Sequence, residues 1–248
     1  MKLIKYLANL GYGNRKHVMQ LFADGRVTTI DGLRAHPTMA VSPSQLRVDA
    51  DVLDPPPGMC LMLHKPAGYT CSTCDQGPLV GDLLPPRFNQ RRPQLVSVGR
   101  LDKESSGLLL FTDDGQLLHR LISPRNHLAK YYEATLADDL RGDEIASFAS
   151  GHLCLKGEKK PLRPVYLTPL SDRHVRLTLF EGRYHQIRRM FAAMGNKVLT
   201  LHRHQYGGLA LGSLPPGQWR FMTSQDLESL WTQTQSDTLL HCHSAPML

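Results

Sequence analysis

Three stretches of the sequence combine residue types that chemistry requires. The first is Gly99-Arg100-Leu101-Asp102, which follows the apolar run Val96-Ser97-Val98 and precedes Glu104-Ser105-Ser106-Gly107-Leu108-Leu109-Leu110. A carboxylate in the turn after a buried strand is held by rigid backbone while facing a cleft, so Asp102 has the setting of a nucleophile or charge stabiliser. It can equally be a residue that stabilises a turn or caps a short helix. The second stretch is Glu181-Gly182-Arg183-Tyr184-His185-Gln186-Ile187-Arg188-Arg189-Met190, where three arginines accompany Tyr, His and Gln at the start of an amphipathic helix. Tyr184 and Arg188 share a face at i, i+4, and the polar side carries more donors than a solvated face requires. The third is Lys130-Tyr131-Tyr132, a strand opening with aromatic rings able to stack on a base.

Other chemistries lack their residues. No glycine-rich dinucleotide fingerprint follows a strand, and neither a P-loop nor an HExxH pattern occurs. Cys71-Ser72-Thr73-Cys74 is a CxxC pair, but Cys60, Cys154 and Cys242 supply no second pair at zinc spacing. His202-x-His204 and His241-x-His243 read as surface or tail pairs. Neither a metal nor a cofactor is expected.

The elements that must position these residues fall into two groups. Leu3, Ile4, Leu7 and Leu10 form one helical stripe, Gly11 and Gly13 end it, and Asn14 caps a second helix carrying Val18, Leu21 and Phe22 at i, i+3, i+4. A β-branched strand over 25–30 then runs into the turn signal Asp31-Gly32, and a second short strand is expected over 45–48. Asp54-Pro55-Pro56-Pro57-Gly58 cannot continue a helix and predicts a semi-rigid hinge. Beyond it, strands are predicted over 60–63, 95–98, 108–111, 132–136 and 175–179. Helices are predicted over 116–122, 143–148 and 184–194, and from Thr223, capped with Asp226, to about residue 231. Strands outnumber helices without alternating with them, which predicts an α+β fold around a mixed, mainly antiparallel sheet. The expected division is a small module at 1–50, a Pro-rich linker at 51–58, a larger domain at 59–231 and a flexible tail at 232–248.

Composition narrows the partners. With 248 residues and 41% hydrophobic content the chain can bury a core, and five cysteines are too few for a disulfide scaffold. No apolar run has the length of a secretory core or a membrane span, so a cytoplasmic protein without a membrane partner is expected. The chain carries 29 Lys+Arg against 22 Asp+Glu, a net charge of +7. Seven of those cations and only three carboxylates lie in the first 50 residues. The excess therefore sits on the small module and points to a polyanion.

The first fifty residues resemble the S4 RNA-binding domain, through Arg15-Lys16 between two helices, Gly25-Arg26-Val27-Thr28 and Asp31-Gly32. That resemblance implies phosphate contacts at Arg15, Lys16 and Arg26. The remainder carries Leu63-His64-Lys65-Pro66-Ala67-Gly68, Gly99-Arg100-Leu101-Asp102 with Ser106-Gly107-Leu108, Thr112-Asp113-Asp114-Gly115, Lys130-x-Tyr132 and Glu181 through Phe191, in that order. Together these resemble the RsuA/RluB/RluE/RluF group of RNA pseudouridine synthases. The resemblance implies a catalytic aspartate at Asp102, a base-stacking tyrosine at Tyr132 and a basic partner of the aspartate at Arg188. It further implies that Lys65, Arg100, Arg183, His185 and Gln186 meet RNA, that the enzyme is a monomer, and that its substrate is ribosomal RNA. Gly68-Tyr69-Thr70-Cys71-Ser72-Thr73, Ser123-Pro124-Arg125 and Leu201-His202-Arg203 favour the small-subunit 16S branch. The alternatives are a 23S synthase of the same group, a non-catalytic RNA-binding protein, and a hydrolase pairing Asp102 with Glu104 or Asp113.

Overall fold

The computed structural model describes residues 2–123 and 126–232. At the N-terminus, helices α1 (Leu3–Asn9) and α2 (Arg15–Ala23) pack on a three-stranded antiparallel sheet of β1 (Val27–Thr29), β2 (Leu46–Val48) and β3 (Asp51–Val52). Asn14 accepts a hydrogen bond from the His17 amide at 2.9 Å, satisfying one of the orphan donors that open α2. Leu3, Leu7, Val18, Leu21 and Phe22 then close a core of their own with Val27, Leu46 and Val48. Side chains of this kind each contribute about 1.5–3 kcal/mol when removed from water. The polar faces keep Lys5, Arg15 and Lys16 exposed. The Asp31-Gly32 turn forms as its residues predict, with Gly32 at φ 79° and Thr28 bridged to Arg34.

The proline-rich stretch, expected as a semi-rigid hinge, is bonded to its neighbours at Asp54, Pro55 and Gly58. Arg87 donates twice to Asp54, at 2.6 and 2.9 Å, and the Asp54 amide donates to the Tyr12 hydroxyl at 3.2 Å. Arg91 reaches the Pro55 carbonyl at 2.9 Å, and the Gly58 amide donates to Asp113 at 2.7 Å. The Arg92 amide donates to Asn9 at 2.8 Å, and Gly11, at φ 93°, lies so close to the Arg87 carbonyl that a Cβ would not fit. Consecutive prolines have no amides to give, so side chains from both neighbours hold the segment.

The larger part is a mixed α/β unit. Its strands are β4 (Cys60–Lys65), β5 (Val96–Ser97), β6 (Ser105–Thr112), β7 (Lys130–Leu136), β8 (Tyr166–Pro169), β9 (His174–Leu179), β10 (Val198–Tyr206), β11 (Leu209–Ala210) and β12 (Trp219–Phe221). They form one nine-stranded sheet of order β12-β4-β6-β10-β7-β9-β8, with β5 beside β6 and β11 beside β10. Among the described residues β6 and β10 are the parallel pair, and the other pairings are antiparallel. Helices α3 (Gly115–Ile122), α4 (Asp143–Ala149), α5 (Gln186–Ala193) and α6 (Ser224–Ser229) complete it. Alternate residues of each strand serve opposite faces. Leu61, Leu63, Leu109, Tyr132 and Leu177 pack under Ile187, Met190 and Phe191 of α5, while Met62, Leu108, Leu110 and Tyr206 form the second core. No helix among the described residues is long and apolar enough to cross a membrane.

Strand β10 is central, yet no strand was predicted there. Its run His202-Arg203-His204-Gln205 is polar, and a register shift between Arg203 and Gln205 breaks the alternation. Gly107 of β6, at φ 112°, accommodates it, because the Arg203 backbone lies where a Cβ would stand. The tail expected from 232, with His241, Cys242 and His243, falls outside the described residues except for residue 232, as do Pro124 and Arg125.

Candidate active site

Asp102 lies in the loop 99–104 between β5, which is shorter than the sequence suggests and only half-buried, and β6 at the centre of the sheet. The Ser105 amide donates to the Asp102 carbonyl at 3.0 Å, the Gly68 amide to Lys103 at 2.8 Å, and the Leu101 amide to the Cys71 sulfur at 3.5 Å. The loop is thereby fastened to β6 and to the segment after β4. Burial pushes the Cys71 thiol above its ordinary range, so it stays a neutral acceptor.

Lys65 was expected to grip RNA and instead lies fully buried beneath this loop. Its Nζ donates to the carbonyls of Pro66 at 3.0 Å, Lys103 at 3.2 Å and Ser105 at 2.5 Å. Position 65 falls on the inward face of β4, and burial pulls the ammonium below its usual range. Two carbonyls next to Asp102, of Lys103 and Ser105, and that of Pro66 thus converge on one cation. Lys65→Met should leave RNA affinity and its salt dependence unchanged while lowering kcat about 100-fold, the scale of a misplaced reacting group. Affinity titrations beside single-turnover rates check this. A weakened Kd with unchanged kcat would return Lys65 to the RNA surface.

The second wall comes from the start of α5. The helix begins at Gln186, later than the periodicity predicts, because His185 adopts the left-handed conformation at φ 49°. Non-glycine residues rarely do so, and such strain concentrates at functional sites. Here it brings His185 Nε2 to 3.4 Å from Asp102 Oδ1, with the imidazole stacked on exposed Tyr184 at 3.9 Å between centroids. Arg188, expected to pair with Asp102, instead donates to the carbonyls of Val198 at 3.0 Å and Glu104 at 3.3 Å. It ties the Asp102 loop to β10 through the backbone, and His185 is the group facing the carboxylate.

Gln186 and Arg183 are likewise committed internally. Buried Gln186 accepts from the Arg183 amide at 2.9 Å and donates to Glu181 at 3.2 Å, which holds it in the pocket wall. Arg183 spends its donors on Glu181, Glu158 and the Lys160 and Pro161 carbonyls. Arg100 remains exposed at the mouth. Arg26, on the small module, is held by Asp49 at 2.6 Å through two parallel bonds. Asp113 is fully buried against Arg91, which removes the pairing of Asp102 with Asp113 that a hydrolase would need.

Tyr132 and Asp102 line one narrow pocket of about 90 Å³ with Arg100, Glu181, His185 and Ile187. An adjoining cleft of about 610 Å³ shares Arg100, Tyr132, Gly182 and Arg183 and adds Lys130, Lys160 and Arg203. Burial, reinforced by Arg203, draws Lys130 down to about 8.

Arg203 was singled out only as part of a motif, yet it organises this wall. It is 2% exposed, donates to the Leu108 carbonyl at 2.8 Å and to the Tyr132 hydroxyl at 3.4 Å, and leaves Nη2 without a partner among the described residues. An unpaired buried donor costs about 1–3 kcal/mol, a cost that an acceptor entering the cleft would relieve. The one signal in the sequence is an arginine inside a run bounded by Leu201 and Tyr206.

Comparison with known proteins agrees with this geometry. Residues 59–193 match the family model described as RNA pseudouridylate synthase. The chain is 37% identical over 235 residues to the ribosomal small subunit pseudouridine synthase A of Vibrio cholerae, covering 93% of this chain and all of that protein. It is 44% identical over 171 residues to the enzyme of that name from Escherichia coli K12, covering 68% of this chain and 72% of the other. A crystal structure of a pseudouridylate synthase superposes with a TM-score of 0.65 at 36% identity, covering 93% and 99% of the two chains. The chain belongs to the RNA pseudouridylate synthase family.

Proposed function

We propose that this chain converts a uridine of small-subunit 16S ribosomal RNA into pseudouridine, with Asp102 as the reacting carboxylate. The observation that carries the reading is the narrow pocket in which Asp102, Tyr132 and His185 meet. The names borne by the relatives favour the small subunit.

In the reaction the C1′–N1 bond breaks and a C1′–C5 bond forms. The proton on C5 leaves, N1 takes one up, and no atom is gained or lost overall. Asp102 supplies negative charge where C1′ or the ring becomes electron-poor. Tyr132, its hydroxyl held by Arg203, offers a flat face that keeps the detached base from leaving while it turns. The target must leave its stack to reach the pocket, and Arg100 and Lys130 stand where its flanking phosphates would pass.

On this reading residues 1–50 act as an S4-like RNA grip through Arg15 and Lys16, joined by 51–58 to a catalytic domain at 59–231. The enzyme works as a cytoplasmic monomer. Incubation with 16S and 23S transcripts followed by pseudouridine mapping tests it. One modified position in 16S is expected; modification confined to 23S, or in neither, contradicts the reading.

A further inference from the structure

We propose that the groove between the N-terminal module and the segment 89–94 is a second RNA-backbone site, built jointly by both parts of the chain. The inference rests on the reading of this protein as an rRNA-modifying enzyme and adds where the RNA is held away from its target base.

The groove has a volume of about 760 Å³. Lys5 and Arg15 line one wall, and Asn89, Gln90, Arg92 and Gln94 the other. Several exposed arginines elsewhere are paired with carboxylates, as in Arg26–Asp49, Arg141–Asp143, Arg173–Asp139 and Arg176–Glu133. No carboxylate lines the groove, and among the described residues Lys5, Arg15 and Arg92 have no ion pair. Cations interleaved with amide groups, without acids, suit phosphodiester oxygens and sugar hydroxyls. The groove continues past Gly13, Asn14 and Gln90 toward Arg26, which Asp49 already neutralises. The cationic track therefore ends at that pair.

The walls are fixed before RNA arrives. The Arg92 amide bonds to Asn9, Gly11 seats against the Arg87 carbonyl, and Arg87 is anchored on Asp54. Binding to a preformed groove spares the ordering cost that a swinging module would incur. One wall also leads straight to the chemistry, because Asp102 lies eight residue steps beyond Gln94. That length limits their separation to about 28 Å even when fully extended. Groove and pocket are thus joined by a short stretch of chain, and an RNA that spans both is held at two points. The groove would contribute affinity, and the pocket would contribute reaction.

The test compares wild type with the double variant Lys5→Ala/Arg92→Ala, both side chains being exposed. Binding of intact 16S transcript is measured across a salt series, with kcat at saturating RNA measured separately. The variant should bind at least tenfold more weakly near physiological salt. Its log K against log salt should flatten by about 2, the loss expected for two phosphate contacts, while kcat stays at the wild-type value. Restoring Lys at position 92 in the same background should recover about one unit of slope. Unchanged affinity and slope would overturn the proposal, as would weaker binding with an unchanged slope. Failure of the enzymatic reading shows instead as absence of pseudouridine with the wild type, and the binding arm still decides the groove.

Discussion

Asp102→Asn should abolish pseudouridine formation, lowering the single-turnover rate by about 10⁴-fold or more, the scale on which loss of a reacting nucleophile acts. That corresponds to about 5.5 kcal/mol of transition-state stabilisation. The substitution keeps the side chain's shape. The carboxylate is about one-third exposed and its neighbour is His185 at 3.4 Å, so an amide there can keep that contact and the fold should not suffer. RNA affinity should remain within about twofold, since direct loss of one pocket carboxylate removes no phosphate contact. Retention of activity within tenfold of wild type would place the chemistry elsewhere, with exposed Glu104 as the nearest carboxylate along the chain.

Asp113→Ala should produce the largest loss of stability of any single change considered. Asp113 accepts from Arg91 Nε at 3.2 Å and Nη2 at 2.9 Å and from the Gly58 amide at 2.7 Å, with both charged side chains essentially excluded from solvent. Removing one partner leaves a guanidinium buried and unpaired, which costs about 3–5 kcal/mol. For a chain of this size the melting temperature should fall by roughly 6–20 °C. Arg91→Met combined with Asp113→Leu should recover much of the loss, because replacing both charges removes the desolvation penalty. Differential scanning calorimetry of the two variants checks this. A drop under 2 °C for Asp113→Ala would mean that water reaches Arg91. The same pair clamps the linker, so the loss should extend to the contact between the two parts of the chain.

Local signals in the sequence were reliable where the cause was local. The stripe Leu3-Leu7 with Val18-Leu21-Phe22, the Asn14 cap, the Thr223–Asp226 capping box and the Ile187-Met190-Phe191 face of α5 all appear where periodicity and side-chain chemistry put them. What was not legible depends on pairing between distant segments. β10 hides behind a polar run because its neighbours β6 and β7, and not its own alternation, make it a strand. Lys65 looks like a surface cation until the 103–105 carbonyls close over it. Asp102, Tyr132 and His185 lie on separate elements, and only sheet register and the left-handed turn at His185 bring them together. The pairing of Arg188 with Asp102 was expected from motif order, which cannot tell a side-chain contact from a bond to the Glu104 carbonyl two residues on.

The central claim is that this pocket moves a uracil from N1 to C5 attachment on its own ribose. Joining C5 to C1′ necessarily expels the hydrogen on C5, so the direct measurement is tritium release from 16S transcript prepared with uridine tritiated at C5. The wild type should release close to one equivalent per RNA, with the base retained in the chain, and Asp102→Asn should release none. Free uracil among the products, or pseudouridine formed at an undiminished rate by the Asp102→Asn variant, would contradict it.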